Sequence, residues 1–163
     1  MSIPPPGPER LRAAFGRFPS GVAAVCARHG GWRVGMAVST FVPVSLEPPL
    51  IGLFIQRSSR TWPVLRELPR LGVSVLAEHH GTAARSLAAR DGDRFAGVEH
   101  TTADSGAIRI AGCTAYFECS LVEESPAGDH LIALLRVERL DIGGDHRPLV
   151  FHRSRFGRLA QTV

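Results

Sequence analysis

Two segments far apart in the sequence hold most of the residues that could take part in chemistry. The first segment, residues 35–50, reads GMAVSTFVPVSLEPPL and is followed by QRSSRTW at residues 56–62. The second is the tripeptide Gly128-Asp129-His130. Hydroxyl and guanidinium groups beside a short apolar strand, with an imidazole at the start of another strand, indicate a site for a phosphorylated aromatic cofactor.

The hydroxyl and arginine cluster after the apolar strand is the candidate phosphate site. Backbone N–H groups at the start of a helix favour a phosphate, and hydroxyl and guanidinium groups supply further donors. Taken alone, the segment suits an ordinary polar loop with a helix cap even better. Ser39, Thr40 and Ser45 could likewise be polar positions of a sheet. The cluster consists of Arg57, Ser58, Ser59, Arg60 and Thr61.

Other catalytic machineries lack their sequence signatures. No GxGxxG follows a predicted strand, no GxSxG places a serine nucleophile, and no HExxH or CxxC supplies a metal site, so no metal is expected. The chain has no lysine, which excludes a Schiff base and a phosphate-loop lysine. His79 and His80 are adjacent at a strand end, where they should point in opposite ways, and we expect an exposed loop there. His130 stands out because it follows a turn glycine and Asp129 at the start of a strand, opposite the core-facing leucines.

Length and composition predict one cytoplasmic domain. The 163 residues, 44% hydrophobic and 21% charged, suffice for one continuous core but not for two ordinary ones. We expect a flexible arm at the proline-rich residues 1–10 and a single domain at residues 11–163. No apolar run is long enough for a bilayer span, and the N-terminus lacks the apolar centre of a signal peptide. Cys26, Cys113 and Cys119 form no CxxC pair and are predicted to be buried thiols.

The basic charge of the chain has two interpretations. All 19 basic residues are arginine, the formal net charge is +4, and the isoelectric point is about 9.7. A nucleic-acid surface would account for this charge, but the arginines are scattered and are not interleaved with aromatic residues. A solvated surface with a few anion contacts is the favoured interpretation.

The first half of the chain predicts strands with short helices between them. A helical pattern runs from residue 9 to residue 18, and strands at 22–28 and 34–41 form a hairpin across a glycine-rich turn. The apolar run at 49–56 is typical of a strand covered on both faces. A helix should begin after Thr61, whose hydroxyl can cap it.

The second half predicts longer strands. Residues 112–122 alternate between an apolar face and a polar face, and residues 131–137 repeat that alternation after a hairpin turn at 125–128. Many strands joined by turns, with only short helices, predict a mainly β fold and a small closed or partly closed barrel. The remaining predicted elements are strands at 72–77 and 148–152 and a helix at 82–90.

The motifs together resemble a known family from about Leu11 to Leu159. The chain is similar to the flavin reductase-like, FMN-binding split-barrel proteins. Within them it resembles the short reductases that supply reduced flavin to two-component monooxygenases, above all those of aromatic polyketide pathways. The landmarks, in the order of the family, are FPSGVAAV (18–25), GMAVSTF (35–41), VSLEPPL (44–50), SSRTW (58–62), GVSVL (72–76), DRFAG (93–97) and GDH (128–130).

The resemblance implies a homodimeric, Greek-key-like antiparallel split barrel that binds FMN or FAD and oxidises NADH or NADPH. It implies that reduced flavin diffuses to a partner monooxygenase, with no nucleic-acid or membrane partner. Ala37 stands where many members carry threonine, which leaves the flavin preference open. By this resemblance, the edge of the isoalloxazine ring contacts Met36, Ala37, Val38, Ser39 and Thr40, and the ribityl chain or the ring contacts Ser45. The phosphate is held by Arg57, Ser58, Ser59, Arg60 and Thr61. Arg94 contacts the flavin or its phosphate, and His130 lies near the nicotinamide.

Hydride transfer between two stacked rings needs no protein nucleophile, and no obligatory catalytic residue is expected. Three alternatives remain open. The chain could hold flavin as a carrier without nicotinamide turnover, or bind nucleic acid or acidic protein without a cofactor. It could also be a split-barrel relative that oxidises pyridoxamine phosphate, although the GDH and SSRTW segments match the reductases better.

Overall fold

The computed structural model describes residues 5–160. Residues 1–4 of the predicted arm lie outside this range. Helix α1 (Pro8–Phe15) has a proline in its first turn, where the missing N–H costs nothing, and it buries none of its side chains. Within the described residues, no helix has the length and apolar character needed to cross a bilayer.

The fold is mainly β, as predicted. Seven antiparallel strands form the main sheet in the order β3-β2-β6-β9-β10-β5-β4, and two small sheets (β1-β11-β12 and β7-β8) flank it. The strands are β1 (Ser20–Gly21), β2 (Ala23–His29), β3 (Trp32–Val38), β4 (Val42–Leu46), β5 (Pro49–Gln56), β6 (Leu71–Val75), β7 (His100–Thr102), β8 (Ile108–Ile110), β9 (Ala115–Ala127), β10 (His130–Ile142), β11 (Leu149–His152) and β12 (Arg155–Arg158). The other helices are α2 (Trp62–Leu65), α3 (Gly81–Ala88) and a 3₁₀-helix (Glu78–His80).

Strand β2 separates two hydrophobic cores. Its Ala23 and Val25 face the core enclosed by β5, β6 and β10, and its Ala24 and Cys26 face a second core with α3 and β8. This is the alternation expected of a strand covered on both faces. Strand β5 was predicted to be covered on both faces, but Phe54 on one of these faces is 38% exposed.

The two long hairpins define where the functional segments meet. The predicted β2–β3 hairpin is confirmed, with Gly30 in its turn at a φ of 58°. The turn predicted at residues 125–128 was wrong, since Ala127 still pairs with His130 and the turn is Gly128-Asp129. Gly128 has a φ of 62°, and a glycine at the first central position of a two-residue turn matches the twist of the flanking strands. His130 is therefore the first residue of β10.

The histidine pair does not form the exposed loop that the sequence predicted. In the 3₁₀-helix the rings of His79 and His80 lie 4.1 Å apart, because consecutive residues of such a turn are about 120° apart and do not point in opposite directions. His80 is buried: its Nδ1 accepts the Ala77 N–H at 2.9 Å, and its Nε2 donates to the Ala111 carbonyl at 2.9 Å. Burial lowers the pKa of His80, and the neighbouring His79 and His146 lower it further.

All three cysteines are free and buried, as predicted. Burial raises the pKa of both Cys26 and Cys119 to about 12, so neither thiol is a ready nucleophile at neutral pH. They act as small apolar packing residues.

Candidate functional site

A cavity of about 680 Å³, which we call the first cavity, opens on the surface of the described residues. It lies between the end of β3, the end of β5 with the loop that follows, helix α3 and the start of β10. Cavities of this size hold small molecules in other proteins. Its position brings the two sequence segments of chemical interest together.

One wall of the first cavity is the end of β3 and the residues after it. Met36 and Ala37 are half-buried, and Ser39 is exposed. Thr40 fixes the path of the chain: its Oγ1 donates to the Phe54 carbonyl at 2.9 Å and accepts the Phe54 N–H at 3.1 Å. Residues 36–40 therefore lie in a fixed position along the cavity.

The opposite wall is the tight corner between β5 and α2. The Ser59 N–H donates to the Gln56 carbonyl at 2.9 Å, and the Ser59 Oγ accepts the Trp62 N–H at 3.1 Å. Ser59 thus caps α2, whereas the Thr61 hydroxyl, predicted to do so, makes no capping bond. Trp62 is 1% exposed, and its indole N–H donates to Glu124, so the corner is held by a buried anchor.

Three guanidinium groups line the first cavity. The Arg94 Nη1 donates to Thr61 Oγ1 at 2.7 Å and to the Gly35 carbonyl at 3.0 Å, which ties the corner to β3. The Arg60 Nη2 donates to the Arg90 carbonyl at 3.1 Å. No carboxylate side chain from the described part of the chain lines the cavity. Its charge therefore favours an anion.

His130 contributes an imidazole to the first cavity from the start of β10. Its Nδ1 lies 2.6 Å from Asp129 Oδ1, and this hydrogen bond lowers the pKa of Asp129. The Arg57 N–H donates to the Asp129 carbonyl at 3.0 Å, so the β9–β10 turn is attached to the β5 corner. The imidazole and the hydroxyl cluster thus share one cavity.

Most of the predicted site residues meet in the first cavity, and two do not. Ser45 lies on β4, where it pairs with Leu50. Arg57 is exposed and does not line the cavity itself, although the next residue, Ser58, does. The predicted residues that line the cavity are Met36, Ala37, Val38, Ser39, Thr40, Ser58, Ser59, Arg60, Thr61, Arg94 and His130.

Several lining residues were not predicted. Phe54 and Gln56 belong to the strand that leads into the serine corner, and an aromatic residue in a strand that ends beside polar side chains is the signal that could have identified them. Leu87, Ala88 and Arg90 come from α3 and the residues after it. Nothing in the local sequence of that helix shows that its end reaches the corner, because the contact depends on the tertiary fold.

Comparison with known proteins gives one family. Residues 15–160 match the flavin reductase like domain. A flavin reductase of Pseudomonas putida is 35% identical over 154 residues, covering 94% of this chain and 91% of that protein. The reductase subunit of a flavin-dependent monooxygenase of Rhodococcus jostii is 34% identical, covering 91% and 76%. The structure of an NADH:FAD oxidoreductase of Streptomyces globisporus with NAD and FAD fragments has a TM-score of 0.87 and 35% identity, and covers 93% of this chain and 92% of that one.

Proposed function

Since this chain belongs to the flavin reductase like family, we propose that it oxidises NADH or NADPH, transfers the hydride to FMN or FAD and supplies the reduced flavin to a partner monooxygenase. The proposal extends to this chain what the names of its relatives say of them. It is supported by residues of this chain that have the chemistry to bind a phosphorylated ring.

The observation that carries the proposal is the composition of the first cavity. Three arginines and the hydroxyls of the β5 corner line one part of it, and no carboxylate from residues 5–160 lines it. The exposed Asp91 outside the cavity lies 3.9 Å from the Arg60 guanidinium, and Arg90 and Arg94 make no ion pair within the same residues. Guanidinium and hydroxyl groups are the donors that bind a phosphate. The apolar and half-buried positions of β3 lie beside them and offer a flat contact for a ring.

The residues present fit a flavin. We assign the phosphate to Ser58, Ser59, Arg60, Thr61 and Arg94, and the edge of the ring to residues 36–40. Ser45 and Arg57 were predicted to share these roles, but neither lines the first cavity, and we assign them no direct contact.

A bound flavin would supply a ring nitrogen that accepts hydride from the nicotinamide, and the chain would then have to orient two rings and keep water away. The Thr40 bonds to Phe54 fix the β3 end against β5, which preorganises one wall. We assign His130, held by Asp129, to the nicotinamide half of the reductant. A hydride transfer between cofactors is compatible with a cavity that contains neither a carboxylate nor an activated thiol among the described residues.

We also propose that the chain works as a homodimer in the cytoplasm. Val42 and Val44 of β4, Phe54 of β5 and Ile132 of β10 are between 36% and 51% exposed. Contiguous exposed apolar residues mark contact surfaces, and Phe54 also lines the first cavity. The three free buried thiols fit a reducing compartment.

The test is the oxidation of NADH and NADPH by the purified chain, followed at 340 nm with FMN or FAD added in turn. We expect consumption of reduced nicotinamide that depends on added flavin. Adding a flavin-dependent monooxygenase and its substrate should couple the reaction to hydroxylation. Flavin binding without nicotinamide oxidation would favour the carrier alternative, and absence of both would reject the proposal.

A further inference from the structure

A bulge in strand β9 turns the carboxylate of Glu124 toward the hydrophobic core. Opposite Glu124 on β10 is Ala133, which is fully buried. Leu121 likewise lies opposite the buried Leu135, and the pairing of the two strands passes over Val122. Strict alternation would place residues 121 and 124 on opposite faces of the strand. The extra residue brings both to the core face, and bulges beside functional sites often redirect a side chain in this way.

The redirected carboxylate joins strand β9 to helix α2. The Trp62 indole N–H donates to one oxygen of Glu124, and the Arg66 Nη1 donates to the other at 2.9 Å. Trp62 begins α2 and Arg66 follows its last residue, so the carboxylate contacts both ends of the helix. A helix of four residues is too short to be stable by itself. Its position therefore depends on Glu124 and on the packing of Trp62.

Helix α2 in turn fixes the hydroxyl groups proposed to hold the phosphate. Ser59 Oγ accepts the Trp62 N–H at 3.1 Å, and Thr61 directly precedes the tryptophan. Thr61 Oγ1 also accepts from the Arg94 guanidinium at 2.7 Å. Glu124 itself does not line the first cavity. Its effect on a ligand in that cavity would therefore pass through Trp62.

We propose that Glu124 is a positioning residue for phosphate binding at the β5 corner. The inference rests on the proposed function. A buried indole N–H without an acceptor costs free energy, so Trp62 keeps its place and orientation only while the carboxylate accepts its hydrogen bond. The corner hydroxyls are then ordered before a ligand arrives, and binding a phosphate does not have to order them. A flavin without a phosphate gains nothing from this preorganisation.

The test measures the dissociation constants of FMN and of riboflavin, which has the same ring without the phosphate, by equilibrium titration of flavin fluorescence. Glu124→Leu removes both acceptor oxygens, and Glu124→Gln keeps one for the indole. Glu118→Leu is the matched control. Glu118 is a 6% exposed carboxylate of the same strand, its Oε1 lies 3.9 Å from the Arg70 Nε, and it does not line the first cavity. Urea unfolding gives the free energy of unfolding of each variant.

In Glu124→Leu we expect FMN binding to weaken about 5- to 10-fold, the equivalent of one lost hydrogen bond, and riboflavin binding to change less than about twofold. The ratio of the two affinities should be near the wild-type value in Glu124→Gln and in Glu118→Leu. A purely structural carboxylate would lower the free energy of unfolding without changing this ratio. If Glu124→Leu does not fold, Trp62→Phe, which keeps a ring but removes the indole N–H, should lower the ratio in its place.

An unchanged ratio in Glu124→Leu, or in Trp62→Phe where the leucine variant does not fold, would overturn the inference alone. An equal fall in Glu118→Leu or in Glu124→Gln would also overturn it, since general destabilisation or the lost charge would then be the cause. So would wild-type protein that binds FMN no more tightly than riboflavin. Wild-type protein that binds neither FMN nor FAD and oxidises no NADH would instead overturn the proposed function, and this inference with it.

Discussion

Ser59 has two roles at the β5 corner, because its hydroxyl caps α2 and its side chain lines the first cavity. Replacing it with aspartate keeps a capping oxygen, since aspartate is as good a cap as serine. The added carboxylate would repel the phosphate by about 1 to 4 kcal/mol, depending on the local dielectric constant. We predict that Ser59→Asp weakens flavin binding about 5- to 1,000-fold, measured by fluorescence titration at low salt.

Ser59→Ala is the matched control for that prediction. It removes the capping hydroxyl without adding charge, and the free energy of unfolding should fall by about 1 kcal/mol. Flavin affinity should fall far less than in Ser59→Asp. Wild-type affinity in Ser59→Asp would mean that the phosphate binds elsewhere.

His130 is the residue assigned to the reductant. We predict that His130→Ala raises the KM of NADH about threefold to tenfold, the equivalent of one lost hydrogen bond, and changes the dissociation constant of flavin less. Steady-state kinetics with NADH varied at saturating flavin, beside a flavin titration, measure the two effects. An unchanged KM would remove His130 from the site.

Asp129→Asn removes the negative charge beside the His130 imidazole and keeps an oxygen that can accept its hydrogen bond. His130 Nδ1 lies 2.6 Å from Asp129 Oδ1, and the amide can still accept from Nδ1 but carries no charge. A KM that stays near the wild-type value would show that the imidazole itself makes the contact. A rise as large as that of His130→Ala would indicate that Asp129 orients the ring.

The sequence identified residues that line one cavity better than it described individual contacts. The GMAVSTF, SSRTW and GDH segments were identified by their resemblance to the family, and residues from each line the first cavity. Ser45 was placed there by resemblance, but the register of β4 against β5 pairs it with Leu50 and keeps it off the cavity. Arg90 was missed because its arrival at the corner depends on where α3 packs.

Element by element, periodicity predicted seven strands of the main and flanking sheets but missed the strands β1, β4, β7, β8 and β12, and it was less successful with the turns. The β9–β10 turn was assigned to residues 125–128 because proline and serine are turn residues, yet the extended β9 includes Ser125 and Pro126. A long hairpin gains ladder pairs by continuing to the shortest possible turn, and Gly128 accepts the positive φ that such a turn needs. The sheet order is a tertiary property that no local pattern contains.

The 3₁₀-helix Glu78–His80 should make the fold sensitive to acid. Folded His80 has a lowered pKa, so below its ordinary value of 6.5 the unfolded chain binds the proton more readily than the folded chain does. The free energy of unfolding should therefore fall as the pH drops below about 6.5, until the pH reaches the folded-state pKa. Above pH 6.5 this group contributes no pH dependence.

Urea unfolding at pH 7.5 and pH 5.5 measures that dependence. Replacing His80 with glutamine should flatten it, and His29→Gln, at an exposed strand end, should not. The free energy of unfolding of His80→Gln will be lower than that of the wild type at both pH values, by about 1 to 3 kcal/mol, if the Ala77 N–H or the Ala111 carbonyl loses its partner. If the free energy of unfolding depends on pH equally in the wild type and in His80→Gln, the assignment of this dependence to His80 is wrong.

On the scale of the whole molecule, the exposed apolar face of β4, β5 and β10 is the proposed dimer contact, and it adjoins the first cavity. Val44 on this face covers Gly52, and Phe54 of the same face lines the first cavity. An aspartate at position 44 would have to lose its water shell in any apolar contact, which is costly for an unpaired charge. We predict that Val44→Asp converts a dimer into a monomer at micromolar concentration, measured by sedimentation velocity.

Loss of the dimer should also weaken flavin binding, because Phe54 would face solvent where a second copy had enclosed it. Phe18→Asp is the control, since Phe18 is 80% exposed but lies outside this face and does not line the first cavity. This variant should leave both assembly and flavin affinity unchanged. A wild-type chain that sediments as a monomer would reject the dimer. A Val44→Asp monomer with full flavin affinity would keep the dimer but show that each cavity is complete within one chain.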